Sequence, residues 1–354
     1  MVYRYLISFT ALFILAVSCQ KEEPEPTVED GPTPYNLPNP FNSIPAMEEP
    51  DYNPTTVEGV KLGRKLYYDN ILSMNGLSCS SCHLQGSSFT NYGTSPNGLE
   101  IPPHVNLGWN KAYGWTGSVT ALDSVALADL EEGNIFLNAN NDTIKARLLA
   151  HPEYPQLFEA AFGVDIAAIS EDERKICISF ALAQFIRTLI SSDSKFDKYL
   201  RGETTLTAQE LGGFDIFMQE DKGDCFHCHG DVYNPLWTDG LFHNNGLKST
   251  HTGDDMGRYL VTNNPADIGK FKTPTLRNIE LTAPYMHDGS LGTLEEVVAF
   301  YSFGLQDSPT IDPLMKKVHS GGAQLNPTEQ AALVAFLKTL TDYTFISNPD
   351  LGPP

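Results

Sequence analysis

The chain has 354 residues, 41% of them hydrophobic, which is enough for two ordinary domains with buried cores. Its formal net charge is -21, a balance that argues against nucleic acid and anionic lipid as partners. It suits a soluble face that meets a basic redox protein, and a merely solvated acidic surface accounts for it equally well.

In chain order, residues 1–19 read as an export signal rather than a structural helix. Arg4 opens it, Leu6–Val17 is its apolar core, and Ala16-Val17-Ser18-Cys19 resembles a lipobox, with Val17 in a slot more often filled by a smaller residue. A plain secretory signal or an uncleaved anchor is the alternative, and the apolar run of about 13 residues is short for a membrane span. Gln20-Lys21-Glu22-Glu23 resembles a lipoprotein surface-export tag, so an exported lipoprotein is expected, periplasmic or anchored at the outer membrane or cell surface. Residues 20–50 hold eight prolines among acidic and polar residues, the composition of a semi-extended tether.

Two globular halves are expected next, 51–203 and 204–345, with a short tail at 346–354. Ser170…Glu173, Thr207…Glu210, Thr293…Glu296 and Asn326-Pro327-Thr328-Glu329 each place a capping residue three before an acid. Apolar faces follow at Ile176/Phe180/Ala183, Leu211/Phe214/Phe217, Leu294/Val297/Val298/Tyr301 and Leu333/Phe336/Leu337/Leu340. Strand signals are few. Long Gly-, Pro- and Asn-rich stretches at 85–118 and 230–275 are of the kind that wraps a cofactor. The expected class is mostly α, with two cytochrome c-like haem domains and long haem-wrapping loops.

Each half carries one Cys-x-x-Cys-His run, Cys79-Ser-Ser-Cys82-His83 and Cys225-Phe-His-Cys228-His229. This is the attachment pattern of a covalent c-type haem: both thiols form thioethers and the adjacent histidine offers an axial nitrogen. With 6 cysteines and 9 histidines, chance would supply roughly 0.003 such pentapeptides. A zinc or redox Cys-x-x-Cys pair is the alternative, but neither needs a histidine at the next position twice. Two covalently bound haem c groups are therefore expected, with His83 and His229 as proximal ligands. Four cysteines belong to haem and Cys19 to the export signal, which leaves Cys177. Its apolar surroundings, Ile176–Ala183, favour a buried inert thiol over a reactive one. No disulfide framework is implied.

The second half then becomes familiar. Phe242-His243-Asn244-Asn245-Gly246, Gly257-Arg258, Phe271-Lys272-Thr273-Pro274-Thr275-Leu276-Arg277-Asn278 and Leu281-Thr282-Ala283-Pro284-Tyr285-Met286-His287-Asp288-Gly289-Ser290 form one series. It resembles the bacterial di-haem cytochrome c peroxidase and MauG superfamily. Leu62-Gly63-Arg64-Lys65-Leu66-Tyr67-Tyr68-Asp69 and Trp115-Thr116-Gly117 agree in the first half. The likeness covers about residues 55–342 and is weaker between 90 and 140.

That resemblance implies a peroxidatic N-terminal haem and a C-terminal haem that takes electrons from outside. The family's second ligand to the latter lies seventeen residues past the proline of Thr-x-Pro, which from Pro284 lands on Tyr301. The peroxidases proper carry Met there and the MauG branch Tyr; a Tyr301 that is only core is the alternative. Trp115 aligns with the tryptophan that relays electrons between the haems, or else it packs a Gly-rich loop. Thr282 and Pro284 match the carbonyl donors of the family's calcium ion. His104 falls on the position of its asparagine donor, and Asn106 is the nearest replacement.

The largest departure is the distal acid that moves peroxide's protons. The family's Glu pair reads Ile135-Phe136 here, and the nearest acids are Glu131 and Glu132, as substitutes or as surface residues. Leu99 takes the place of an inhibitory histidine, with His104 as the remaining candidate for a displaceable distal ligand. The expected reaction is reduction of hydrogen peroxide to water, with a small c-type cytochrome or cupredoxin as donor. A homodimer is among the expected partners, as is a membrane met through the lipid anchor only. A MauG-like oxidase of a protein or organic donor, and a non-enzymatic electron carrier, stay open. A carrier has two six-coordinate low-spin haems; an enzyme has one exchangeable haem.

Overall fold

All four capping signals start helices. Ser170, Thr207, Thr293 and Asn326 each accept from the peptide N–H three residues on, and the acid there reaches back to the cap. The computed structural model describes residues 31–95 and 98–354. The signal at 1–19 and the start of the Pro-rich stretch lie outside the described residues. The helices, in chain order, are α1 (Val57–Tyr68), α2 (Cys79–Cys82), α3 (Asn141–Ala150), α4 (Tyr154–Phe162), α5 (Glu171–Arg187), α6 (Lys195–Leu200), α7 (Ala208–Met218), α8 (Phe226–His229), α9 (Tyr259–Thr262), α10 (Leu294–Phe303), α11 (Pro327–Lys338) and α12 (Tyr343–Ser347). A 3-10 segment spans Leu122–Leu130. Sheet is confined to two antiparallel two-residue strands, β1 (Phe242–His243) and β2 (Phe271–Lys272), among the described residues. The mostly α expectation holds. No described helix is long and apolar enough to cross a membrane.

Two apolar cores form. One gathers Leu62, Leu66 and Tyr67 of α1 with Ile178, Leu182 and Phe185 of α5; the other gathers Phe217 of α7 with Leu333, Phe336 and Leu337 of α11. The two principal crossings are built alike. A β-carbon on Gly63 would collide with the Ala181 carbonyl and crowd Phe185. One on Gly213 would collide with the Ala332 carbonyl and crowd Phe336. Glycine is thus required in both helices, because the facing helix backbone occupies the space a side chain would fill. On α5 the buried stripe is Ile178, Ala181, Leu182 and Phe185, so the expected Ile176/Phe180 face is corrected: Ile176 is exposed. Cys177 is half-buried against the first core, not fully buried, and burial still pushes its thiol up.

The halves are sewn together by polar groups. Asn278, fully buried, donates to Ser88 Oγ at 2.9 Å and accepts from the Asp342 N–H at 2.7 Å. Asp342 in turn accepts from Ser191 Oγ and from the N–H groups of Ser192 and Asp193. The chain's end returns to its beginning: Arg64 donates to the carbonyls of Pro349 and Gly352, Tyr68 to Leu351, and Phe345 and Leu351 complete the first core. The Pro-rich stretch expected as a tether is held to the body from Thr33, which donates to Glu58. Phe41 is buried between the Trp109 ring and the Arg277 guanidinium.

Adjacent glycines of α7 give a test with opposite signs. Gly213→Ala should destabilise by about 1–3 kcal/mol through overpacking. Gly212→Ala, whose β-carbon meets nothing within 4 Å, should stabilise by about 0.5–1 kcal/mol through helix propensity. Denaturant midpoints of the two variants check both.

Candidate haem sites and the residues between them

Cys79 and Cys82 bracket α2, which Ser78 and Ser81 cap reciprocally, and His83 follows at its end. His83 Nδ1 lies 2.8 Å from the Phe89 carbonyl, which fixes the ring and leaves Nε2 for a metal. To offer that carbonyl, Ser88 and Phe89 both take left-handed backbone, φ 59° each. For a buried phenylalanine this conformation costs about 1–3 kcal/mol. The His104 ring stacks on His83 at 3.7 Å, and its Nδ1 meets Tyr67 OH at 3.1 Å. Burial draws His83 down to about 4 and His104 well below its ordinary value. Both rings are neutral, the form that ligates iron.

These groups form one side of a cavity of about 480 Å³ whose walls come from both halves. The first half supplies Cys79, Cys82, Glu100 and Trp115; the second supplies Leu236, Lys272 and Thr275. Trp115 donates from Nε1 to the Glu100 carbonyl at 2.9 Å, and its own carbonyl accepts from the Lys272 N–H at 2.9 Å. The indole stands edge-on to His287, with 6.5 Å between ring centres. The predicted relay residue is therefore at the seam. Lys272 makes no side-chain hydrogen bond among the described residues, and burial pulls its ammonium down to about 8. A half-buried ammonium with no hydrogen-bond partner among the described residues, in a cavity that carries two thiols and a neutral histidine, fits a haem, which would bring two propionates.

The second site repeats the scheme. Cys225 leads into α8 and its N–H donates to the Phe217 carbonyl at 3.1 Å. Burial draws His229 down to about 4, against the carbonyls of Trp237 and Pro274, and its Nδ1 has no well-formed hydrogen bond. Trp237, like Phe89, is buried with left-handed φ, here 54°. Tyr301 on α10 lies near Cys228 and Cys225, and burial pushes its phenol up to about 12. A phenolate forms there only beside a compensating cation. Asn245 Nδ2 lies 3.0 Å from Tyr301 OH and 3.6 Å from Met286 Sδ, so phenol and thioether share one amide.

Several expectations need correction. Glu131 is 67% exposed and pairs with Lys175 at 3.5 Å. Glu132 is exposed and accepts from Asn140. Neither lines the cavity, because the chain leaves the 3-10 segment at Leu130 and turns outward. Asn106, expected near a calcium ion, is instead pinned to the 191 segment: it donates to Ser191 O at 3.0 Å and accepts from Ser191 N at 2.9 Å. Thr282 is buried beside the Ala283–Pro284 bond, and the carbonyls of Thr282 and Pro284 accept no backbone hydrogen bond among the described residues. His104 lies flat on His83, so it cannot stand across the iron from it. The sequence reading missed Glu100, whose buried carboxyl is pushed up to about 9 by burial against hydrogen bonds from Thr90 and Trp115. It also missed Asp129 and Lys272. An acid or lysine inside a Pro-rich or Gly-rich loop, or in a 3-10 segment like that of Asp129, gives no periodic signal of burial.

A helical chain with two such attachment sites and a cavity shared between its halves defines a di-haem c-type redox protein. Comparisons narrow that class. Residues 57–205 match the family described as di-haem cytochrome c peroxidase. The chain is 32% identical over 341 residues to cytochrome-c peroxidase IdrP1 of Denitromonas iodatirespirans, covering 85% of this chain and 86% of that protein. It is 34% identical over 311 residues to methylamine utilization protein MauG of Methylorubrum extorquens, covering 85% and 83%. A solved MauG-like protein associated with microbial copper homeostasis has a TM-score of 0.78 at 35% identity, covering 90% of this chain and 99% of that one. The di-haem peroxidase BthA of Burkholderia thailandensis, at 18% identity and TM-score 0.70, shares the fold over 91% of this chain and 94% of that one. The chain belongs to the di-haem cytochrome c peroxidase and MauG family.

His243 offers a pH test near the second site. Its two ring nitrogens face Asp239 at 2.8 Å and Asp312 at 2.6 Å, and the Asp239 hydrogen bond, then Asp312, raise its pKa above the ordinary 6.5. A raised histidine pKa contributes stability fully below the unfolded value and loses it as pH climbs through the folded value. Hydrogen exchange at residues 239–243, corrected for the intrinsic rate, should quicken as pH rises through that raised value. His243→Phe should remove the pH dependence.

Proposed function

We propose that this protein is an exported di-haem c peroxidase that reduces hydrogen peroxide to water at the N-terminal site, with electrons entering through the C-terminal site. One observation carries the reading: the two sites share a scaffold but differ in what else borders them. The first opens into the cavity, and the second meets the buried phenol of Tyr301. When bound, the haems supply peroxide activation where a coordination position is open and electron transfer where both are filled.

The protein's own groups do the rest. Phe89 and His104 hold the His83 ring in one orientation, and the neutral imidazole keeps its ligating lone pair. Lys272 would hold a propionate, and its N–H holds the Trp115 backbone. Trp115 bridges the halves and carries electrons between them. Tyr301 is proposed as the second ligand at the C-terminal site, with Asn245 donating to its oxygen. Calcium between the sites would use the Thr282 and Pro284 carbonyls. Glu100, an uncompensated buried acid whose N–H donates to His287 O at 2.8 Å, would take the side-chain role in place of Asn106, which Ser191 pins. The acidic surface suits a small basic c-type cytochrome or cupredoxin as donor. Lipid anchoring through Cys19, periplasmic or surface placement, and a homodimer complete the proposal.

A second reading is favoured by Tyr301: a MauG-like oxidase that takes electrons from a protein or organic donor. Anionic oxygen stabilises ferric and higher states.

The test is peroxide-dependent oxidation of a reduced c-type cytochrome by the purified diferric protein. Turnover without pre-reduction is expected. Absence of turnover both before and after half-reduction would overturn the peroxidase reading. Tyr301→Met should raise the midpoint potential of the C-terminal haem in a spectroelectrochemical titration, while Met286→Leu should leave its axial-ligand spectrum unchanged.

A further inference from the structure

The first cavity lacks the carboxylate that the sequence reading expected in it. Ile135, at the family's acid position, is 57% exposed, and Phe136 turns in to line the cavity instead. Glu131 and Glu132 face outward. Two carboxylates remain in the wall, Glu100 and Asp129.

They differ in what already holds them. Glu100 accepts from Thr90 Oγ1 at 3.3 Å, and its backbone is bound on both sides, by Trp115 and His287. The Asp129 carboxyl has no hydrogen bond to any described residue and is only half-buried, so it can exchange protons with solvent. It lies close enough to Cys79 and Cys82 to raise both thiols. It therefore faces the rim where the cofactor is attached.

Its platform is firm. The 3-10 segment Leu122–Leu130 is clamped at its start by the buried Asp123–Arg187 pair at 2.6 Å and by Ser179 Oγ donating to the Asp123 carbonyl. The proximal side is already filled, since His104, Phe89 and Tyr67 stand beside and behind His83.

We propose that Asp129 is the acid–base group for hydrogen peroxide in this cavity, an assignment that rests on the peroxidase reading. The Asp129 carboxylate takes the proton from the peroxide oxygen that binds. It then delivers that proton to the other oxygen as the O–O bond breaks. The bond's electron pair leaves with the departing oxygen, which departs as water. The external donor supplies two electrons, and solvent a second pair of protons in all, so that each peroxide yields two waters. Burial pushes Asp129 up to about 6, where a carboxyl both accepts and returns a proton near neutrality.

Stopped-flow mixing of the diferric holoprotein with hydrogen peroxide, and separately with cyanide, tests this. Hydrogen cyanide must also lose its proton on binding iron, so its association rate reports proton removal without any peroxide chemistry. Asp129→Asn should slow both reactions about 100-fold or more, the usual scale of general acid–base catalysis. Asp129→Glu should recover much of that loss, and Glu131→Gln and Glu132→Gln should match the wild type. Haem content and unfolding midpoint of each variant separate misfolding from lost proton transfer. An Asp129→Asn protein that reacts with both probes at the wild-type rate overturns the assignment. So does a loss that follows Glu100→Gln alone. If the wild type ignores peroxide but Asp129→Asn still slows cyanide, the peroxidase reading falls and the proton-transfer role of Asp129 stands.

Discussion

Two glycines set how closely the main helices approach, and both haem motifs hang from those crossings. At Gly63 and Gly213 the facing helix backbone occupies the space of a β-carbon. α1 then carries Tyr67 to His104 and so to the face of His83. α7 ends beside the Cys225 N–H, whose bond to Phe217 starts the second motif. In a close-packed interior there is no slack to absorb a shift at either crossing. A change in helix separation would therefore be passed on to an imidazole.

The same scaffold serves two different sites. In each half a buried aromatic in left-handed conformation, Phe89 or Trp237, turns its carbonyl toward the motif histidine. Strain of this kind persists only where surrounding packing over-determines it. Phe89 packs on Tyr67 and Phe345, and Trp237 on Phe196, Phe217 and Phe336. What distinguishes the halves is what else borders each site. One borders a cavity that both halves wall, and near the other a half-buried phenol is tied to Asn245.

Much of this was legible in the sequence because it is local. The haem motifs need adjacent residues, and each capping box needs a residue and its partner three positions on, so both survive as patterns. The helical class followed from them, and the seam position of Trp115 from the family resemblance. The errors came from non-local facts. Asn106 looks like a donor until Ser191, 85 residues away, takes both of its amide atoms. Ile176 looks like core until α5 turns Ile178 and Leu182 inward. Glu131 and Glu132 sit close in sequence to the acid position, but a 3-10 segment advances more per residue than an α-helix, and it ends before reaching them.

The return of the chain's end onto its beginning bears on maturation. The first core is closed by Phe345 and Leu351, and Arg64 and Tyr68 are held by carbonyls of residues 349–352. If the chain is exported from its N-terminus, as proposed, Cys79 and Cys82 emerge long before the second half and those last residues arrive. Until Lys272 and Thr275 follow, the first cavity would lack the wall that the second half supplies. Under the proposed export the fold would supply its own timing: the cavity stays open by topology until the second half emerges to wall it, and the last residues then complete the core beside it.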